Sequence, residues 1–418
     1  MIRMLHFADL HLGMENYGHF SSGTGVNSRV VDFLQRMDEM IAYARQREVD
    51  LVVFAGDAFK NRQPNPTLQR EFAWRVRDMT ALCPVVLLVG NHDMPGTIQR
   101  ASSLEIYDTL AVPNVLVGDK YELYTVETRG GPALVGTAPY PLRTQLLDDE
   151  QTQGKSIAQV DELLLMRLQL ELNDLTCKAR AASPPEAPRV LAGHFSVTGA
   201  MLSSERGVMI GRDAVVPVGD LADPAWDYVA LGHIHKHQNL TAGRQNAPPV
   251  VYSGSIERID FGEEGDPKGF CWVELARGAT RWQFVPVGSR PFVTLRIDAR
   301  AELDPMTRVL DAIARTNVTE AIVRVIIQID AEGEGKLQDR VIAGALRAAG
   351  ASTIAAIKKE VERSARTRLG ANPEGLDDME LLERYFLTRG YSPEQVTALL
   401  ARAGELISTR AGASEQIR

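Results

Sequence analysis

Six short apolar runs divide the first two thirds of the chain: IRMLHFA (2–8), DLVVFAGD (50–57), PVVLLVGN (84–91), ALVGTAP (133–139), RVLAGHF (189–195) and DYVALGHI (227–234). Each is nearly continuous where a half-exposed strand would alternate, and each breaks off at glycine or a polar residue. Each therefore predicts a buried strand. The segments between the first three, VNSRVVDFLQRMDEMIAYARQ (26–46) and TLQREFAWRVRDM (67–79), repeat apolar residues at spacings of three and four and predict helices. Strand, helix, strand repetition points to an α/β sandwich. In such folds chemistry gathers at the carboxyl ends of strands, which is where the polar residues fall each time.

An insertion from 141 to 188 holds one long helical pattern, SIAQVDELLLMRLQLELNDLTCKARA, followed by SPPEAP. Two readings stand: a helix packed on the sheet edge, and a contact for a partner or a second copy. Near residue 290 the pattern changes to PFVTLRID, DPMTRVLDAIART, EAIVRVIIQID, KLQDRVIAGALRAAG and ASTIAAIKKEV, which predict a small separate βαβαβ unit. RSARTRLGANPEG then reads as a polar linker punctuated by Gly and Pro. A helix pair follows, the first helix with Met379, Leu382 and Phe386 along one stripe, the second with Val396, Leu399, Leu400, Ala403 and Leu406. Ser392, Pro393 and Gln395 supply the cap, first-turn proline and third-position amide that start the second helix. Two helices bury such stripes poorly alone, so the pair docks either on its parent domain or on another protein's helices. The expected divisions are 1–288, 289–361, a linker at 362–375, the helix pair at 376–408, and a disordered tail at 409–418.

A chain of 418 residues exceeds one ordinary core and fits two or three units. Three cysteines, Cys83, Cys177 and Cys271, are odd in number and lack paired spacing, which fits a reducing compartment and neither a disulfide scaffold nor a cysteine zinc site. No apolar run reaches the ~20 residues of a membrane span, and the opening MIRMLHFADLHLG is broken by His6 and Asp9 too early for a signal peptide. A cytoplasmic protein without membrane contact is expected. The net charge of -8 weighs against nucleic-acid binding by the whole surface, but leaves room for a local basic groove or for bound cations.

Five polar blocks sit at the ends of predicted strands: ADLHLG with Asp9 and His11, AGDAF with Asp57, GNHD with Asn91, His92 and Asp93, AGHF with His194, and LGHIH with His233 and His235. Singly each is weak, since a lone buried histidine is more often a satisfied core residue than a ligand. Together they hold five of the eight histidines, which makes them specific. In LGHIHKHQ (231–238), His233, His235 and His237 alternate, and alternation places side chains on one face of an extended segment. Carboxylate, imidazole and amide without thiolate suit manganese, iron or zinc better than an all-oxygen magnesium or calcium cage. The donors outnumber the needs of one ion and fit two that share a bridging carboxylate, a pair that can activate water for in-line displacement at phosphorus.

This set, D-x-H, G-D, G-N-H-D, G-H and G-H-x-H, resembles the calcineurin-type metallophosphoesterases. Its order, with LGHIHKHQ followed by YSGSIERIDFGEE (252–264), resembles the SbcD family of bacterial DNA nucleases. The resemblance covers nearly the whole chain and is specific in the first two thirds. It implies an α/β fold: a metallophosphoesterase β-sandwich flanked by helices, a small α/β capping domain that binds DNA, and a C-terminal helix pair. It assigns Asp9, His11 and His235 to one metal, Asn91, His194 and His233 to the other, and Asp57 to the bridge. His92 is left to approach the scissile phosphate, with Asp93 holding it in orientation. His237 is read as a neighbour or a surface histidine, and His6 and His19 as structural. Lys60 and Arg62 stand where relatives often carry an acid, and basic residues beside a phosphodiester site suit DNA. Ser253, Gly254 and Ser255 form a polar turn whose amides can meet a phosphate, or a plain structural turn.

The resemblance further implies a nuclease of DNA double-strand break repair, recombination and replication. It would be a 3′–5′ exonuclease on double-stranded ends and an endonuclease on single strands and hairpins, with two divalent ions, manganese foremost. It would work as a nucleoid-associated homodimer and as the SbcD component of an SbcCD-type complex. An SbcC-type coiled-coil ATPase would clasp Met379, Leu382, Phe386, Val396, Leu399 and Leu400. The alternative keeps the chemistry and changes the substrate to small phosphodiesters or phosphomonoesters. A noncatalytic scaffold would have lost ligands, and none is missing here.

Overall fold

The computed structural model describes residues 1–20, 25–94, 101–203, 213–362 and 377–414. It contains two compact units. The first comprises Met1–Thr294, Val318–Val323 and Gly350–Ala355; the second comprises Leu295–Asn317, Arg324–Ala349 and Ala356–Arg418.

The first unit is built on two six-stranded sheets. One contains β1 (Ile2–Phe7), β2 (Leu51–Phe54), β3 (Val85–Leu88), β4 (Val115–Gly118), β13 (Gly269–Leu275) and β14 (Arg281–Pro286), in the order β14-β13-β1-β2-β3-β4. The other contains β5 (Glu122–Thr128), β6 (Gly131–Ala138), β7 (Arg189–His194), β10 (Tyr228–Gly232), β11 (Gln238–Asn239) and β12 (Val250–Tyr252), in the order β11-β12-β10-β7-β6-β5. β8 (Ser196–Val197) and β9 (Val215–Val216) pair separately. All six strands predicted from the sequence are present. β1 to β4 run parallel, as do β6, β7, β10 and β12.

The period of two along each strand explains why the runs are apolar throughout. In β1, Leu5 and Phe7 face outward and join Phe33, Met37 and Met40 of the Ser28–Gln46 helix and Phe72, Val76 and Met79 of the Pro66–Thr80 helix. Met4 faces inward and, with Val53 and Val86, meets Val190, Ala192, Tyr228 and Ala230 of the other sheet. That sheet's outer face, Leu191, Val229 and Leu231, packs under Leu168, Leu172 and Leu175 of the Ile157–Ala181 helix. The insertion helix therefore covers the second sheet, touching its edge strand β5 and the adjacent β6. Asn27, Asn65 and Ser156 cap the three helices through their side chains.

Further along the chain, β15 (Phe292–Asp298), the Pro305–Arg315 helix, β16 (Ile322–Asp330), the Asp339–Ala348 helix and β17 (Thr353–Glu362) follow in turn, and the strands form one sheet in the order β15-β16-β17. Within the second unit, Val309 and Ile313, and Ile342 and Leu346, are buried pairs spaced four residues apart on their helices. Leu295, Ile297, Val325, Ile327 and Ile329 are buried on the strands. The expected linker lies outside the described residues from 363 onward. The Asp378–Thr388 and Pro393–Ser414 helices pack on each other, and the expected capping box is formed: Ser392 N–H donates to Gln395 Oε1 at 3.0 Å and Gln395 N–H to Ser392 Oγ at 3.3 Å. The second helix runs on to Ser414, so the tail expected to lose structure at 409 is helical for six more residues. Residues 415–418 lie outside the described set.

Candidate metal centre

Five turns, one after each of β1, β2, β3, β7 and β10, bring the donors to one edge of the sandwich. Four donors sit at positive φ: Asp9 (52°), His11 (43°), Asp57 (62°) and His233 (93°). Such backbone costs on the order of 1–3 kcal/mol per residue and persists only where its surroundings fix it. Here Asp9 N–H donates to the Gly56 carbonyl at 3.0 Å, His11 N–H to the Asp57 carbonyl at 3.0 Å, and His233 N–H to Asp9 Oδ1 at 2.8 Å. The turns hold one another. Two glycines permit the approach: a Cβ on Gly90 would lie 2.2 Å from Asp57 Oδ1, and one on Gly232 would lie 2.1 Å from the Ala55 carbonyl oxygen.

β10 ends at Gly232, so His233 and His235 do not share the face of a strand, as their alternation suggests. The left-handed residue His233 breaks the strand, and the turn carries both imidazoles inward. His237 goes elsewhere: it stacks on Phe284 with ring centroids 4.1 Å apart, and its Nδ1 lies 2.9 Å from the Tyr252 carbonyl. His6 is a core histidine between the Tyr228 hydroxyl (3.1 Å) and the Leu231 carbonyl (3.2 Å), and His19 is exposed beside Ser28.

Two clusters meet at one carboxylate. In the first, His11 Nε2 lies 2.9 Å from His235 Nε2, and both residues group with Asp9. In the second, Asn91 Oδ1 lies 3.1 Å from His194 Nε2 and 3.0 Å from His233 Nδ1. Asp57 Oδ2 stands between them, 3.5 Å from His11 Nε2 and 3.4 Å from His194 Nε2. His92 groups with His11 and Asp57 but is half-buried; its N–H donates to Asp57 Oδ1 at 2.8 Å and its Nδ1 to the Lys60 carbonyl at 2.7 Å.

These groups fit a cation. Asp9 Oδ2 is buried with no hydrogen-bond partner. His194 commits its Nδ1 proton to the Ala55 carbonyl at 2.6 Å, His235 commits its own to Glu263 Oε1 at 2.9 Å, and His233 Nε2 donates to Asp213 Oδ2 at 2.7 Å. Each ring, when neutral, turns a bare nitrogen toward the cluster, and such outer partners are what orient metal-binding histidines. With His233 Nε2 donating to Asp213, its Nδ1 lone pair faces Asn91 Oδ1 at 3.0 Å, and two such acceptors repel unless a positive charge lies beside them. The electrostatics agree: burial pushes the Asp9 carboxyl up to about 6 and holds the His11 imidazole well below its usual range. Burial opposes the charged forms of Asp57 and His194 as well, but their mutual attraction keeps Asp57 far below the carboxylate range and His194 up to about 9, so without a cation His194 holds a proton on Nε2 that a bound cation would replace.

The family model for calcineurin-like phosphoesterases matches residues 2–237. The chain belongs to that family. Its curated relatives include three proteins named as the SbcD component of the SbcCD nuclease. The one from Bacillus subtilis is 29% identical over 70% of this chain and 71% of its own. The one from Rhodobacter capsulatus is 29% identical over 75% of this chain and 76% of its own, and the one from Escherichia coli 29% identical over 66% of each. As a calcineurin-like phosphoesterase the chain is a hydrolase of a family that works with divalent metals, and its histidine and aspartate groups are ones that could hold them.

Two expectations for this phosphoesterase are corrected, those for Asp93 and for the Ser253–Ser255 turn. Asp93 does not orient His92. Its carboxylate accepts from the main-chain N–H of Asp57 (2.8 Å), Ala58 (3.0 Å) and Gly90 (3.1 Å), so it fixes the turn that presents Asp57, and burial pushes it up to about 7. Ser253 and Ser255 are buried, and their amides are already used by the carbonyls of Leu231 and His235. Their hydroxyls serve the Gly254 and Glu257 carbonyls, so neither residue offers a group to a phosphate. Lys60 contributes its carbonyl to His92, whereas Arg62 is exposed and lies within electrostatic reach of Tyr140.

Four members of the site carry no local signal in the sequence. Asp213 accepts from His233 and from the Tyr140 hydroxyl at 3.0 Å, and Glu263 backs His235 while pairing with Lys268 at 2.8 Å. Asp213, Tyr140 and Glu263 lie far along the chain from the residues they support, while Lys268 lies close to Glu263 in sequence.

Proposed function

We propose that the chain is a two-metal DNA nuclease, cutting double-stranded ends 3′ to 5′ and single strands or hairpins internally during break repair and recombination. Asp57 carries the reading: it is one carboxylate equidistant from two clusters, one holding the orphaned oxygen of Asp9 and the other the facing acceptors of Asn91 and His233. Asp9, His11 and His235 would hold one divalent ion, Asn91, His194 and His233 the other, with Asp57 shared and manganese the preferred occupant. When bound, such a pair lowers the pKa of water and neutralises charge on a phosphodiester.

The chain's own groups do the rest. His92, at the half-buried rim beside Asp57, is placed to meet the scissile phosphate and give a proton to the leaving oxygen. Arg62 adds positive charge at the exposed rim. Relatives named as the SbcD component of a nuclease support DNA as substrate and an SbcC-type ATPase as partner at the helix pair. There Met379, Leu382, Phe386, Leu399 and Leu400 are half-buried and Val396 buried, leaving Tyr385, Leu387 and Tyr391 the more exposed apolar groups for that partner. A homodimer is supported by an apolar groove of about 660 Å³ lined by Ala73, Val76, Tyr107 and Val112, with Ile106 and Leu110 exposed on it. No helix among the described residues is long and apolar enough to cross a membrane.

The test is cleavage by the purified chain with manganese, given linear duplex, hairpin and mononucleotide-ester substrates, with and without the ATPase and ATP. Duplex and hairpin should be cut. Turnover confined to the small esters would replace this reading with that of a small-substrate phosphoesterase.

A further inference from the structure

The clusters that meet at Asp57 are backed by different means. Behind His194 stands a main-chain carbonyl, and behind His233 stands Asp213, whose side chain is 13% exposed. Behind His235 stands Glu263, with 0% exposure. Its Oε1 accepts from His235 Nδ1 at 2.9 Å, while its Oε2 lies 2.8 Å from the ammonium of Lys268, another fully buried side chain. The same ammonium donates to the His235 carbonyl at 3.1 Å and to Ser255 Oγ at 2.8 Å, and Ile259 N–H donates to Glu263 Oε2 at 3.0 Å.

Resting on the metal-centre reading above, we propose that Glu263, clamped by Lys268, is the positioning residue that keeps Nε2 of His235 bare. It thereby sets occupancy of the Asp9, His11 and His235 half alone. A neutral imidazole has one proton, and an acceptor fixed at Nδ1 decides that Nε2 is the lone pair. Burying an ion pair rarely stabilises a fold more than apolar residues of the same volume. What this pair supplies is direction: with donors on Oε2, the acid can present only an acceptor to His235.

Glu263→Gln reverses that direction. Lys268 and Ile259 N–H claim the amide oxygen, so the amide nitrogen faces His235 Nδ1 and the imidazole proton moves to Nε2. In manganese titrations followed by electron paramagnetic resonance, the wild-type chain should bind two equivalents. Glu263→Gln should weaken one of them about 10- to 100-fold, the usual range for losing an outer partner, and leave the other unchanged. The neighbouring carboxylate Glu264 instead holds the N–H and hydroxyl of Thr294 at 2.7 and 2.6 Å, so Glu264→Gln should keep both equivalents. Thermal melts of the metal-free proteins check folding. Nitrogen-15 histidine spectra of the metal-free wild type, with the His235 signal identified by its loss in His235→Gln, should show the proton on Nδ1. A wild type that binds fewer than two equivalents overturns both readings. Two equivalents in the wild type with undiminished binding in a folded Glu263→Gln chain overturns this one alone, as does a proton found on His235 Nε2.

Discussion

In the ligand turns of the first unit each polar group is tied to a distant segment: Asp93 to the amides after β2, His233 N–H to Asp9, His194 to the Ala55 carbonyl. In the helix pair the polar ties are local: Asp377 caps Met379 and Glu380, and Ser392 caps Gln395. One region stores backbone strain and spends no exposed apolar surface; the other has relaxed caps and leaves Tyr385, Leu387 and Tyr391 about half exposed. Atoms brought close against repulsion need long-range ties, whereas a pair of capped helices needs only local ones. A change in the turns should therefore spread through the site and the core, and a change in the helix pair should stay where it is made.

The largest expected effect is at the carboxylate the clusters share. Asp57→Asn keeps an oxygen for His92 N–H but removes the charge between the clusters. Manganese-dependent cleavage should fall by roughly 10²- to 10³-fold or more, while far-UV circular dichroism and binding of the ATPase partner stay as in wild type. Retained cleavage would break the comparison at its centre.

Next is the pH response of the shelf beneath the turns. Burial holds His6 down to about 3 in the folded chain, against an unfolded value near 6.5. The folded state thus takes up fewer protons between those values. Its stability is fully present above about 6.5 and is lost as pH falls toward 3. Between pH 7 and 4 that loss amounts to about 3 kcal/mol for the wild type, and His6→Gln should lack it. Urea melts of the two metal-free proteins across this window would show parallel slopes if His6 were inert.

The third test is steric. A Cβ at Gly232 meets the Ala55 oxygen and, at 2.9 Å, both Ala8 Cβ and His194 Nδ1, so Gly232→Ala should destabilise by about 1–3 kcal/mol. Because the same contact sets the gap between turns from opposite sheets, manganese affinity should fall with stability. A stability loss with intact metal binding would mean the turns are less coupled than their ties suggest.

What could be read from the sequence follows the same division. Six of the eight parallel strands of the two large sheets were legible because burial on both faces makes them apolar without alternation, and the convergence of the polar turns because glycine directly precedes four of their side chains: Asp57, Asn91, His194 and His233. The short strands β4, β8, β9, β11 and β12 and the antiparallel β5, β13 and β14 were not read. In β14, alternation of Arg281 and Gln283 with Trp282 and Phe284 lies on an antiparallel edge and resembles many loops. The outer residues escaped for a different reason: Asp213 and Glu263 stand 20 and 28 positions from the histidines they back, and no periodicity links them. Sequence adjacency misled at Asp93, which sits beside His92 yet turns its carboxylate to the chain after β2. It misled again at Ser253 and Ser255, where a polar turn folded inward. At the helix pair the cap of the second helix was legible to the residue, since Ser392 and Gln395 bond to each other, whereas the Asp377 cap of the first was not read. How the apolar stripes divide between mutual packing and solvent was not.

The smallest effect belongs to that cap. Ser392 Oγ accepts from Gln395 N–H at 3.3 Å, and Ser392→Ala leaves that amide to water. Loss of a serine cap costs about 1 kcal/mol of helix stability. Hydrogen exchange should therefore speed up several-fold in the Pro393–Ser414 helix. Exchange in β1, β2 and β10, manganese stoichiometry and the rate of cleavage should not change, because none of their hydrogen bonds runs through this turn. Protection factors that drop across the first unit would instead show that the pair is joined to the ligand turns by a tie as stiff as those the turns share among themselves.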